Sequence, residues 1–180
     1  MKLSTREMVF AALFAALTGV LAQLTIPFGP IPLTMQTFAV AFTSTLLGKK
    51  IGTLTVLLYL FMGAIGLPVF AGGNAGFSVI FGPTGGFLIG FVFTALSIGW
   101  ILENTRKTYF WAITANLTGA LITLLFGVLW LKVSAGMPWQ GALAAGMIPF
   151  LVPSAIKAVL AGYLGLLIMR RLPRSLRLSN

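Results

Sequence analysis

Apolar residues come in long runs along this chain, broken by polar positions only at intervals. A helix needs about 20 predominantly apolar residues to cross a bilayer core. Six stretches fit that template: 8–26, 33–47, 51–67, 85–102, 109–131 and one within 141–169. The second is short, and Pro149 and Pro153 interrupt the last. The pattern predicts an all-α integral membrane protein with six transmembrane helices in one bundle, and a single domain over residues 1–180.

Charge tests that count. Lys2, Arg6 and Glu7 precede the first span, and Lys49 and Lys50 separate the second from the third. Glu103, Arg106 and Lys107 separate the fourth from the fifth, and Arg170, Arg171, Arg174 and Arg177 follow the sixth. These alternate flanks hold ten of the twelve basic residues, while the other three connections hold only Lys132. The positive-inside rule then places both termini in the cytoplasm. Composition agrees with a lipid-facing surface. Only 8% of residues are charged, against about 25% in a soluble domain. A net charge of +10 raises the question of nucleic acid. The basic residues are scattered between apolar runs, so they read as topology charges and no nucleic-acid partner is expected. The predicted location is the prokaryotic plasma membrane, crossed several times.

The connections opposite the charged flanks are unusual. Residues 27–32 read PFGPIP, and residues 69–83 read VFAGGNAGFSVIFGP, with no ionised side chain in either. Proline fixes backbone geometry and glycine permits close approach. Backbone polar groups at membrane depth are tolerated only where protein or water satisfies them. The two loops suit either tight outer turns or a cover over a cavity at the membrane face.

Several chemistries are excluded. No cysteine or histidine occurs, so disulfides, zinc sites and Cys or His nucleophiles are absent. Neither a Walker-type phosphate loop nor a dinucleotide fingerprint is present. Glu7 and Glu103, the only acids, fall at span ends, which argues against a proton relay. Sodium coupling through backbone carbonyls stays open. An intramembrane hydrolase lacks a base or a metal, so no enzyme and no cofactor is expected.

Lys157 is the one deep basic residue. It precedes Arg170 by thirteen positions, about 20 Å along a helix, which is past the middle of a core about 30 Å thick. A lysine there must reach water, a partner or a ligand. It either snorkels to the outer surface or meets a ligand's carboxylate or carbonyl. In PFLVPSAIK, Ser154 is placed to cap a helix restarting after Pro153, with Lys157 in its first turn, an anion-favouring arrangement. Thr34 and Gln36 open the second span, and Asn74 is central in AGGNAG. An asparagine side chain donates and accepts, which suits an amide or ureido group, although asparagine is also a common turn residue. Phe70, Phe77 and Tyr163 are candidate apolar walls, and Asn116 a candidate for bonding between helices. In AALFAAL, Ala11 with Ala15 and Ala12 with Ala16 form small-x-x-x-small pairs, which let another helix approach, within the bundle or from a separate membrane protein.

The segments IPFGPIPLTMQTFAV, LLGKKIGTLTVLLYLFMGAIGLPVFAGG, GPTGGFLIGF and PFLVPSAIK resemble the BioY family, the biotin-specific substrate-binding (S) components of energy-coupling-factor (ECF) transporters. The resemblance implies capture of biotin from outside, with Asn74 and Lys157 contacting it. It implies a transmembrane coupling subunit and two ATPases as partners, the alanine face of the first span meeting the coupling subunit, and toppling in the membrane to release ligand. The chain departs from the family pattern at two places. Ser154 stands where an aspartate is common, three residues before the lysine, and Leu88 where some members carry arginine. A serine accepts a hydrogen bond without neutralising the lysine, so lipoate, a carboxylate without a ureido ring, is an alternative ligand. An autonomous carrier without ATPases is the alternative mode. The expected site combines Thr34, Gln36, Asn74, Phe77, Ser154, Lys157 and Tyr163.

Overall fold

The first helix, α1 (Thr5–Ala22), opens on a capping box. The Ser4 hydroxyl accepts the Glu7 N–H at 3.2 Å, and the Glu7 carboxylate accepts the Ser4 N–H at 2.8 Å, so two donors at the helix start are satisfied reciprocally. In the computed structural model, which describes residues 3–172, this helix ends at Ala22 rather than running on to 26. Residues beyond it form β1 (Thr25–Ile26), paired antiparallel with β2 (Leu33–Thr34). The proline-rich turn 27–32 is therefore the tip of a small hairpin. Lys2, Arg174 and Arg177 lie outside the described residues.

Helix α2 (Gln36–Ala64) is broken at Gly48, whose φ of 76° and ψ of −177° belong to a region open essentially to glycine alone. In a straight helix, residues 36 and 59 stand about 35 Å apart. Here the Gln36 amide donates to the Tyr59 hydroxyl. Residues 36–47 and 49–64 therefore run back along each other as two separate passes. The break leaves backbone donors uncovered, and the Glu103 carboxylate accepts the Lys49 N–H at 2.9 Å.

The second loop carries a 3₁₀ turn (Ala71–Gly73) and the short α3 (Phe77–Phe81). Two long helices follow, α4 (Gly85–Asn104) and α5 (Tyr109–Ser134). They pack so closely that a Cβ on Gly86 would sit 2.1 Å from Trp130 Cβ. Then come α6 (Trp139–Gly146), a 3₁₀ turn at Ile148–Phe150, and α7 (Leu151–Arg171). Helix α7 starts at Leu151, before Pro153. A proline in the first turn breaks no bond, because the first four N–H groups of a helix have no internal acceptor. Ser154 consequently lies inside the first turn and does not cap it, and Lys157 is in the second turn.

Six helical passes result: α1, the two halves of α2, α4, α5 and α7. The chain is a multi-pass membrane protein. Leu121, Leu125 and Leu129 form an exposed apolar stripe on α5, and Met8, Val9, Leu13, Leu17 and Val20 do the same on α1. The predicted charged flanks meet at one end of the bundle. Lys50 pairs with Glu7 at 2.9 Å. Arg170 donates to the Lys107 carbonyl at 2.6 Å and lies 4.8 Å from the Tyr109 ring centroid. The hairpin, the glycine-rich loop and α6 occupy the other end.

Candidate functional site

Beneath the hairpin is a cavity of about 50 Å³, walled by Ile31, Pro32, Leu33, Thr34, Gln36 and Thr37 from the hairpin and start of α2. Thr84, Phe87, Leu88 and Phe91 close it from the start of α4, Thr123 and Leu124 from α5, and Phe150, Ser154 and Lys157 from the α7 end. Lys157 is the one ionised side chain among these. Its Nζ donates to the Thr34 carbonyl at 2.9 Å. Glu7 is engaged by Lys50 and Glu103 by the Lys49 N–H, so neither acid of the chain serves this ammonium. The Lys157–Thr34 bond also lies on a partition. Leu33, Thr34 and Lys157 face both the cavity and a wider groove of about 530 Å³ between the hairpin and α7, walled further by Leu24, Thr25, Ile26, Met35, Pro153 and Ile156.

Behind the cavity wall, a chain of hydrogen bonds fixes the start of α2. The Thr34 hydroxyl donates to Gln36 Oε1 at 2.9 Å, the Gln36 amide donates to the Tyr59 hydroxyl, and that hydroxyl donates to the Val69 carbonyl at 3.0 Å. Gln23 Nε2 reaches the Phe70 carbonyl at 3.3 Å. Hairpin, α2 and glycine-rich loop are thereby tied together around the site. Trp130 adds a tie from α5, its indole N–H donating to the Gly82 carbonyl at 2.8 Å.

Of the residues expected from sequence, Thr34, Gln36, Ser154 and Lys157 come together in the cavity wall. The other three do not. Asn74 is exposed, and its side-chain amide donates to the Ala71 carbonyl at 2.6 Å within its own turn. Phe77 is exposed and stacks on Phe81, and Tyr163 is exposed and stacks on Tyr109 at the charged end. Phe70, the remaining candidate wall, is buried edge-on against Tyr59. The alanine pairs also separate. Ala11 and Ala15 are 2% and 0% exposed and pack within the bundle, which corrects their expected place on a partner surface. Ala12 and Ala16 face outward.

A sequence profile of the BioY family, matched over residues 1–174, covers the helices that build this cavity. The chain belongs to the BioY family. Among BioY relatives, it is 41% identical to Biotin transporter BioY2 of Lactococcus lactis over 92% of this chain and 91% of that one. It is 38% identical to Biotin transporter BioY of Thermotoga maritima, over 89% and 94% respectively. The fold matches the crystal structure of the S-component for biotin from an ECF-type ABC transporter with a TM-score of 0.88 and 28% identity, over 99% of this chain and all of that one.

Sequence reasoning missed Thr37, Thr84, Phe87, Thr123, Leu124 and Phe150. A usable signal existed for one pair. Asn116 and Thr123 are seven residues apart on α5, hence on one face, and both are buried.

Proposed function

We propose that this chain captures biotin as the S component of an ECF transporter, working with a transmembrane coupling subunit and two ATPase subunits. The family, the relatives named biotin transporters and the fold of a biotin S component support the ligand and the mode. The observation that carries the site is Lys157, a membrane-depth ammonium with a carbonyl for a partner and no acid within the chain to neutralise it. A ligand carbonyl or carboxylate satisfies that need. The charged end is read as cytoplasmic by the positive-inside rule, which puts the cavity and its hairpin cover on the outer side.

Ligand cavities commonly measure about 300–1,000 Å³, so a cavity of about 50 Å³ must open to admit a vitamin. The hairpin is the element suited to move. Its strands pair over only two residues each, and beyond the Thr34–Gln36 tie and the packing of Phe28 and Ile31 it is held by the Lys157–Thr34 bond, which a ligand competes for. On this reading the ring system of biotin enters under residues 27–32, Lys157 and Ser154 bond its polar head, and Phe87, Phe91 and Phe150 enclose it.

Titrating the purified protein with biotin, dethiobiotin and lipoate tests this. Biotin is expected to bind most tightly, and Lys157→Ala to weaken it. Loss of a charge-assisted hydrogen bond is about 1.5–3 kcal/mol, or roughly 10- to 150-fold in Kd. Unchanged affinity in that variant rejects the site. Tighter binding of lipoate assigns the neutral Ser154 and Leu88 to a ligand without a ureido ring. Uptake by this chain alone in ATP-depleted vesicles assigns it to autonomous carriage.

A further inference from the structure

Asn116 is fully buried in α5, and its Oδ1 has no hydrogen-bond partner. The orientation of the amide follows from its neighbours. Its nitrogen lies 2.8 Å from the Ala112 carbonyl and 2.8 Å from Thr45 Oγ1. The first can only accept. The second already donates its proton to the Ala41 carbonyl at 2.9 Å, so it also accepts. The amide nitrogen must face these two groups, and Oδ1 is left as an unmatched acceptor. Such a group costs about 1–3 kcal/mol when buried.

Asn116 lines a small void of about 10 Å³ together with Thr37, Thr94, Thr123, Ser154 and Lys157. Four of these, Thr37, Thr123, Ser154 and Lys157, also line the main cavity, so the void is its deep extension. Thr37 Oγ1 is likewise buried without a partner. Thr94 donates to the Gly119 carbonyl at 2.8 Å, so in the 2.8 Å contact between the two threonine hydroxyls Thr123 is the donor. Thr123 Oγ1 therefore retains free lone pairs. The void thus presents two acceptors, Asn116 Oδ1 and Thr123 Oγ1, and a hydroxyl donor, Thr37, with Ser154 and Lys157 on the side it shares with the cavity. Its volume suits one water, and buried waters make about three hydrogen bonds.

We propose that this extension is a water site that supplies the ligand with a hydrogen-bond acceptor, making Asn116 and Thr37 specificity-determining residues. The water donates to Asn116 Oδ1 and Thr123 Oγ1, accepts from the Thr37 hydroxyl, and turns its remaining lone pair towards the cavity. There it accepts an N–H of a ureido or amide group whose carbonyl is bonded to Lys157. The arrangement gives the site a directed acceptor although no carboxylate lines it. It rests on the biotin-capture reading and names the group of the ligand that is recognised.

The test uses the purified full chain, its Thr37→Val and Asn116→Leu variants, biotin, and the two biotins methylated at one ureido nitrogen. Thr37→Val deletes no hydrogen bond present in the fold, so its melting temperature without ligand is expected to be unchanged or higher, and it carries the test should Asn116→Leu not fold. Biotin affinity is expected to fall roughly three- to tenfold in Thr37→Val, the loss of one hydrogen bond. With one of the two N-methyl biotins, wild type and variant are expected to bind equally, because the recognised N–H is already gone. Unchanged biotin affinity overturns the proposal. So does a loss that persists in full with both methylated ligands, since that marks a structural effect. A wild type that binds no biotin fails earlier, at the functional reading, and is distinguished by that.

Discussion

Tyr59 orders the site without lining the cavity. Its hydroxyl joins Gln36 to the Val69 carbonyl. Tyr59→Phe strands both groups in a buried setting, and a loss of about 1–3 kcal/mol in stability is expected, read as a lower melting temperature in detergent. An unchanged melting point shows that water replaces the hydroxyl. Lys157 and Asn74 mark how far single residues were legible. A lysine at membrane depth is costly wherever it occurs, so position along the chain was enough to single it out, and the cavity includes it. Asn74 offered the right chemistry but no depth signal, and the structure turns its amide back onto Ala71. Thr37 was illegible because a hydroxyl in an apolar run usually bonds a carbonyl of its own helix, as Thr55 does with Ile51 at 2.8 Å.

Helix existence was written in the apolar runs, and helix ends were not. Residues 33–47 and 51–67 were separable because Gly48, Lys49 and Lys50 interrupt the apolar pattern. The return of α2 on itself depends on the Gly48 dihedrals and on a carboxylate arriving from α4, neither of which is local in sequence. Pro153 misled for a related reason. A proline stops a helix only where its N–H is needed, and in the first turn of α7 it is not. The break in α2 makes a prediction of its own. Gly48→Ala forces a side chain into a sparsely populated backbone region at about 1–3 kcal/mol. Glu103→Ala removes the acceptor for the Lys49 N–H at about 0.5–2 kcal/mol. Both are expected to lower thermal stability while leaving the biotin Kd of the folded fraction unaltered, because the break is at the end opposite the cavity. A loss of affinity in either variant shows that the α2 turn communicates with the site.

Taken whole, the molecule has a charged end, a covered end and an apolar girdle between. That polarity was readable from the spacing of lysines and arginines, whereas the side of the membrane each end faces is our proposal from the charge rule. The outward pair on α1, Ala12 and Ala16, presents a shallow surface to the bilayer among larger exposed side chains such as Leu13 and Val20. If a coupling subunit docks there, Ala12→Leu with Ala16→Leu is expected to reduce co-purification of the assembled transporter severalfold without changing biotin affinity of the isolated chain. Ala15→Leu, buried against α2, is expected instead to damage folding through overpacking, at about 1–3 kcal/mol. Retention of full assembly in the outward double variant moves the docking surface elsewhere.

The bond between Lys157 and the Thr34 carbonyl has a consequence for selectivity. A guest that draws the ammonium away leaves that carbonyl bare, so it must bring a donor as well as an acceptor to come out even. Chloride or acetate can replace one side of the exchange only. A group with C=O and N–H side by side can replace both, so on the proposed reading a guest that displaces the Thr34 carbonyl is expected to hold better when it carries both groups than when it is a simple anion.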